Sequence, residues 1–321
     1  MLSRRAALTT IAALIAAPAA RAQSFPWHNI SIVVPYPAGG PVDVVARLIA
    51  QHVTSLGQPI VVDNRGGGSG IIGSAAVARA EPDGHTLVLG TNQTHATNQT
   101  LIKHCPYDAV TDFAPVAGIA DVPHVLVVRR GLEVDSVTAL VDMAKRYPLG
   151  LTYGSTGNGS ASHLAAELFK QKAGVDLLHV PFRGAAPMTT ELLAGRIDVS
   201  FVTLPSVIGY IDAGALRALA VASGKRAARL PDLPTLAEQG IKDVEADAWF
   251  ALFAPAKTPP AAINKIYNAV SSKLSAKATA DLIAQQGMTL TLRPPDWIKA
   301  WLPGEVAKWA AVINAAGVTV E

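Results

Sequence analysis

The run Ile32-Val33-Val34-Pro35-Tyr36-Pro37-Ala38-Gly39-Gly40-Pro41-Val42-Asp43 constrains the fold more than any other stretch. Its β-branched opening reads as a buried parallel strand, and Val44, Val45, Leu48, Ile49, Val53 and Leu56 then recur at helical spacing. Pro41 suits the first helical position, where its missing N–H removes a donor that would be unpaired anyway, and Gly40 lets a ligand approach the backbone. The N–H groups of Val42, Asp43 and Val44 then point out of the helix start with the positive end of the dipole behind them, which makes a seat for an anion. Any strand-to-helix connection needs a Gly/Pro turn, so this stretch alone leaves a purely structural role open.

The same grammar returns at Leu151-Thr152-Tyr153, followed by Gly154-Ser155-Thr156-Gly157-Asn158-Gly159-Ser160 and a helix carrying His163, Leu164, Leu168 and Phe169. Ser160 fits the N-cap, where its hydroxyl competes for the N–H groups a ligand would use. Ala161 follows Ser160 and no Lys is present, so a nucleotide-triphosphate loop is disfavoured. A second small-anion cradle remains, with Ser155 and Thr156 as hydroxyl donors.

Residues 1–22 read as a cleaved signal: Arg4-Arg5, an apolar segment from Ala6 to Ala17 too short to span a membrane, and the small-x-small site Ala20-Arg21-Ala22. The Arg pair, the weakly hydrophobic core and Arg21 fit a twin-arginine signal, with Ala7 where a bulkier residue is usual, so general secretion is the alternative. Loss of Arg4, Arg5 and Arg21 brings the 27 basic residues level with the 24 acidic ones. The mature chain is formally neutral, which removes charge as an argument for nucleic acid or an anionic membrane as partner. A single cysteine, Cys105, excludes an internal disulfide or a thiolate metal cluster. The eight His show no H-x-H or H-E-x-x-H pattern, so no metal and no cofactor are expected.

Strand and helix signals alternate along the rest. Gly68-Ser69-Gly70-Ile71-Ile72-Gly73 fits the dinucleotide fingerprint literally, but the next strand, His85 to Leu89, ends in Gly90-Thr91 with no acid for a ribose. These glycines are expected to admit a small ligand or a neighbouring strand, before a helix from Ile71 to Ala80. Thr91 to His95 reads as a polar loop at the ligand side of the sheet. Pro115 to Pro123 reads as a proline-punctuated connector before the strand Val125 to Val128. Further units follow at His179 to Pro187, Val199 to Pro205 and Leu216 to Val221, and Trp249 to Ala254 reads as a returning strand ahead of three amphipathic helices. The pattern predicts an α/β protein of two doubly wound domains with a ligand cleft between them and two crossing strands as a hinge. The boundaries are residues 23–124 plus 249–321 for the first domain and 125–248 for the second.

Val34-Pro35-Tyr36-Pro37-Ala38-Gly39-Gly40-Pro41-Val42-Asp43, Asp63-Asn64-Arg65, Pro82-Asp83-Gly84, Asp112-Phe113-Ala114-Pro115-Val116, Tyr153 to Ser160 with His163, Val180-Pro181-Phe182-Arg183-Gly184 and Leu216 to Val221 together resemble the Bug-type, TctC-like solute-binding receptors of tripartite tricarboxylate transporters. The resemblance runs in order over essentially the whole mature chain. It implies a periplasmic receptor of the type II periplasmic-binding-protein fold, monomeric, that captures a di- or tricarboxylate, an acidic amino acid or an aromatic acid. It also implies delivery to membrane permease subunits. Ligand carboxylates are then expected at the loop of Tyr36, Ala38, Gly39 and Gly40 and at the loop of Ser155, Thr156, Gly157, Asn158 and Ser160, with further contacts from Thr91, Gly184, Ala185, Ala186 and Thr203. Gly66, Ile71 and His85 depart from the common pattern, which leaves the ligand itself undefined.

Individual residues carry alternatives. Asp43 either complements the helix dipole or orders a cleft water or a ligand ammonium. Arg183, the cation of a loop expected to face the cleft, either adds a carboxylate contact or forms a solvated rim. His163 reads as a packing or supporting donor, and Trp249 as hinge packing or a stacking surface for an aromatic ligand. Two other functions stay open: an orphan receptor presenting its ligand to a sensor protein, and a periplasmic enzyme on the same scaffold, although G-x-S-x-G, an activated Cys and a carboxylate pair are absent.

Overall fold

The computed structural model describes residues 24–320, so the expected signal segment lies outside the described residues. The chain begins with β1 (Ile30–Val34), α1 (Pro41–His52), β2 (Ile60–Asn64), α2 (Ile71–Ala78) and β3 (Thr86–Thr91). A π-helical turn (Gln93–Thr97) and α3 (Asn98–Leu101) lead into β4 (Phe113–Val122). Pro123 alone separates β4 from β5 (His124–Arg129), which opens a second unit of α4 (Val137–Arg146), β6 (Thr152–Ser155), α5 (Ala161–Ala173) and β7 (Leu178–Pro181). That unit continues through α6 (Ala185–Leu193), β8 (Val199–Thr203), α7 (Leu204–Asp212) and β9 (Leu216–Val221). The chain returns in β10 (Ala248–Pro255) and ends with α8 (Pro260–Leu274), α9 (Lys277–Gln285), β11 (Thr289–Leu290) and α10 (Pro295–Ala316).

Two sheets result, six strands in the order β11-β4-β10-β3-β1-β2 and five in the order β7-β6-β8-β5-β9. Within each βα run the strands are parallel: β2, β1 and β3 in one sheet, β7, β6 and β8 in the other. The sheets as a whole are mixed, because β10 runs antiparallel to β3 and β4, and β5 antiparallel to β8 and β9. Antiparallel strands let the chain pass between sheets without a helical crossover. Parallel strands followed by helices place the helix starts together at one end of each sheet, and this fixes where a ligand can sit.

Three local expectations need correction. Pro115 to Pro123 is not a connector, since its residues through Val122 form the long strand β4, paired on both sides. Pro115 is tolerated because it sits where the β4–β10 register shifts, between the partners of Leu252 and Phe253. The segment after β3 is not a solvated loop: Thr94 and His95 are fully buried, with the His95 ring stacked on Phe253 at 4.1 Å. The helix beginning at Ile71 stops at Ala78 rather than Ala80. Gly73 in that helix has a packing reason, because a Cβ there would meet Arg65 O at 2.9 Å and Pro35 Cα at 3.1 Å.

Helix α10 ties the sheets together. Ile298, Leu302, Glu305, Trp309, Val312 and Ile313 recur at helical spacing and are buried, while Pro303 lies on the exposed side. One apolar cluster runs from Val33 and Val88 of the first sheet, through Trp309 and Ile313, to Leu126, Tyr153 and Phe201 of the second. Glu305 Oε1 accepts from Trp249 Nε1 (3.2 Å) and Trp309 Nε1 (2.7 Å), so one carboxylate oxygen satisfies two buried indoles. Replacing Glu305 by Leu should strand both donors and lower the unfolding free energy in urea by roughly 2–4 kcal/mol. Glu305→Gln, which keeps an acceptor there, should cost less than about 1 kcal/mol; equal losses in the two variants would remove this role.

Candidate ligand-binding site

Between the facing ends of the two sheets lies a cavity of about 570 Å³. Four helix starts open onto it: Gly40-Pro41-Val42 of α1, Ser160-Ala161-Ser162 of α5, Gly184-Ala185-Ala186 of α6, and Thr203 with Ser206 of α7. Two such starts are expected from the sequence, and the structure doubles them. Three have no side-chain cap, those at Gly40, Gly184 and Thr203. Proline thins the donor set, since Pro41, Pro187 and Pro205 bring no N–H. Leu204 N is engaged by Pro123 O. The first-turn amides of Val42, Ala161, Ser162, Ala185, Ala186 and Ser206 remain without helical partners, as the helix geometry requires.

The first loop is held from behind. Asp43 is buried and accepts from Gly39 N (2.9 Å), Arg47 Nε (2.8 Å) and Asn64 Nδ2 (2.9 Å), and Asn64 also donates to Tyr36 O. Burial by itself would raise the Asp43 carboxyl, but the bonds from Arg47, Gly39 and Asn64 outweigh it and hold the group below the ordinary aspartate range. Gly39, at φ +87°, adopts a backbone that L side chains rarely take and turns its N–H to Asp43 rather than to the cavity. The Tyr36 hydroxyl meets Thr91 Oγ1 (2.8 Å) and donates to Gln93 Oε1 (3.2 Å), and burial pushes its phenol up to about 12.

The second loop is engaged with itself more than the sequence suggests. Thr156 N donates to Ser162 Oγ, Gly157 N to Ser155 Oγ, Gly159 N to His163 Nδ1 and Ser160 N to Gly157 O. Ser160 Oγ caps α5 by accepting from His163 N. Ser155 is fully buried, with its hydroxyl 2.7 Å from His179 Nε2, a spacing that resembles a nucleophile and its base. The hydroxyl is enclosed between His179 and Gly157 O, and the pair braces the loop. His163 stacks on His179 at 3.9 Å, and burial with the neighbouring His179 charge lowers its pKa to about 4, against the pull of Glu167.

Of the expected site residues, Tyr36, Ala38, Gly40, Thr91, Thr156, Ser160, Arg183, Gly184, Ala185, Ala186 and Thr203 line the cavity. Gly39, Asp43, Ser155, Gly157, Asn158 and His163 do not. The first five of these shape the loops, with Asn158 reaching Thr319 O, and His163 supports α5 from within. Trp249 packs against Trp301 at 5.2 Å, and its neighbour Phe250 faces the cavity in its place. Asn92 and Gln93 line the cavity from the segment expected at the ligand side of the sheet, and His124, Ser162, Ser206 and Phe250 line it unannounced by any motif. Arg183, exposed at the rim, is the only Arg or Lys among the lining residues.

Elsewhere among the described residues, His28, Asp83 and His85 lie close enough to share an ion. Trp27 N donates to His85 Nε2 (3.2 Å), which places the ring proton on Nδ1, 3.2 Å from Asp83 Oδ2. A protonated nitrogen there faces the carboxylate and offers no lone pair to a cation. The Cys105 thiol is half-buried, and burial pushes it up, the reverse of an activated nucleophile.

A family model described as the tripartite tricarboxylate transporter family receptor matches residues 45–318. The chain belongs to this receptor family. BugT of Bordetella pertussis is 36% identical over 309 residues, covering 96% of this chain and 94% of that protein. Among solved structures, Rpa4515 of R. palustris with adipate is 37% identical at a TM-score of 0.83, covering 92% of this chain and 99% of that one. MatC of Rhodopseudomonas palustris with bound malate is 30% identical at a TM-score of 0.79, covering 90% and 100%. The periplasmic binding protein BugD is 32% identical at 0.79, covering 92% and 100%. As a TctC-type receptor the protein is a solute-binding α/β protein, and no helix among the described residues is long and apolar enough to cross a membrane.

Burial keeps several receptor histidines neutral: His124 and His163 at about 4, and His95 at about 3. The unfolded chain takes up these protons near pH 6.5, well before the folded one, so it binds more protons throughout the interval. Stability should therefore fall as pH drops from about 6.5 towards 4. Urea midpoints measured between pH 7 and pH 4.5 should decline, with a shallower slope in His163→Asn; a flat profile contradicts the neutral imidazoles.

Proposed function

We propose that the protein captures a small carboxylate outside the cytoplasm and hands it to the permease subunits of a tripartite tricarboxylate-type transporter. One observation carries this reading: four helix starts converge on a cavity whose lining holds a single Arg, at its rim. Backbone N–H groups and aligned peptide dipoles suit a carboxylate at a defined position without the long-range pull that a cluster of cations would exert on bulk anions. Charge-assisted hydrogen bonds contribute roughly 1.5–3 kcal/mol each, so four or five exceed the ~8 kcal/mol of micromolar binding before ordering costs. The solved relatives with adipate and with malate support an acid as the ligand class.

The two sheets act as the two lobes, divided near Pro123 and Ala248, and a ligand held by α1 on one side and α5, α6 and α7 on the other favours their closure. The buried Ser155 hydroxyl and the unactivated Cys105 favour a receptor over an enzyme. Residues 1–22 supply export.

A thermal-shift screen of the mature protein against aliphatic and aromatic carboxylates tests the reading. An acid at about 100 times its Kd should add roughly 2.7 kcal/mol of stability. Gly40 has an ordinary φ of −79°, and a Cβ there would find only Pro37 O, at 3.9 Å, so a side chain at this position folds but enters the cavity. Gly40→Leu should therefore keep the unliganded melting temperature and lose the shift. No response to any acid, or an undiminished one in Gly40→Leu, contradicts the proposal.

A further inference from the structure

Two polar side chains of the cavity wall are not explained by the helix starts. Asn92 is 3% exposed and its Nδ2 has no hydrogen-bond partner; His124 is 2% exposed and its Nδ1 has none. Both line the cavity. Strand register places them at one corner: Thr91 is aligned with Phe250 and Val122 with Ala248, so Asn92 and His124 both emerge where the chain crosses between the sheets. Folded proteins leave few buried polar groups unpaired, because each costs about 1–3 kcal/mol. Two at one corner of a ligand cavity mark places where a bound molecule supplies the partner.

The chemistry of that corner narrows the partner. An amide nitrogen donates, and a neutral imidazole both donates and accepts. Burial lowers the His124 pKa, against the pull of the Ala246 backbone, so the ring brings no positive charge at neutral pH. Phe250, Val42, Pro37 and Pro187 supply apolar surface to the same cavity. A second carboxylate seated there would be desolvated without a counter-charge, whereas a hydroxyl or keto oxygen loses little by leaving water.

Resting on the carboxylate reading above, we propose that Asn92 and His124 form a second subsite that recognises an uncharged oxygen, hydroxyl or keto, on an otherwise apolar acid. The acid end sits at the helix starts and the neutral oxygen at the crossing corner. Asn92 and His124 are thus specificity-determining residues, and the ligand class is a hydroxy or oxo derivative of an aromatic or medium-chain aliphatic acid.

Calorimetric titration of the mature protein with matched acids tests this: benzoate against 3- and 4-hydroxybenzoate, and hexanoate against 5-oxohexanoate, 6-hydroxyhexanoate and adipate. At least one oxygenated acid should bind about tenfold or more tightly than its parent, and more tightly than adipate. Asn92→Leu and His124→Phe should each weaken the oxygenated acid about tenfold more than its parent, so that the preference disappears. The wild-type comparison needs no variant, so a variant that misfolds does not protect the proposal. Equal binding of parent and oxygenated acids, a preference for adipate, or variants that weaken both members of a pair alike would overturn the subsite and leave the carboxylate reading standing. Binding of none of these acids overturns the subsite, and silence in the wider carboxylate screen as well overturns both readings.

Discussion

A helix cannot pair the N–H groups of its own first turn, and this account of the molecule depends on that constraint. Each βα unit delivers such a set of donors to the end of its sheet, and two sheets linked by the chain crossings at Pro123 and before β10 bring four sets to one cavity. The donors are rigid, since they belong to the backbone, and they are neutral, since the charge is a dipole end. Negative oxygen can then be held where a cluster of lysines would attract every anion in the surroundings. The near balance of 27 basic and 24 acidic residues in the chain is consistent with that economy of cations.

Rigidity has its own supports. Asp43 gathers Gly39, Arg47 and Asn64 behind the first loop, and the column of Ser155, His179, His163 and Tyr153 stands behind the second. Tyr153 donates to Glu167 at 2.6 Å, and Lys170 donates to the same carboxylate, so the column ends in a satisfied ion pair. Holding a loop in its binding shape before the ligand arrives lowers the ordering cost of binding. Helix α10 extends the same principle to the whole molecule by making one apolar cluster of residues from both sheets.

The sequence made much of this legible. Strand, Gly/Pro turn and helix at residues 32–49 and 151–169 announce the alternating fold and two of the four helix starts, because turn chemistry and 3.6-residue periodicity act locally. β4 was hidden by Pro115, whose tolerance depends on a register shift against β10, a tertiary fact, and by Pro123, which ends the strand. The inward-turned donors of residues 156–160 were equally hidden: which hydroxyl or imidazole accepts them is decided by Ser162 and His163 on the helix that follows, not by the loop's composition. Asn92 and His124 carry no motif. Asn92 lay in the polar segment expected at the ligand side, whereas His124, a polar residue opening the apolar strand Val125-Leu126-Val127-Val128, drew no reading from the sequence.

Amide-resolved NMR of the labelled mature protein, titrated with an acid that stabilises it, tests the central claim most directly. The account predicts that the largest ¹H–¹⁵N shifts, with added protection from exchange, fall on Val42, Ala161, Ser162, Ala185, Ala186 and Ser206, from both sheets at once. Shifts centred on the Arg183 side chain with those amides unmoved, or confined to one sheet, would contradict it.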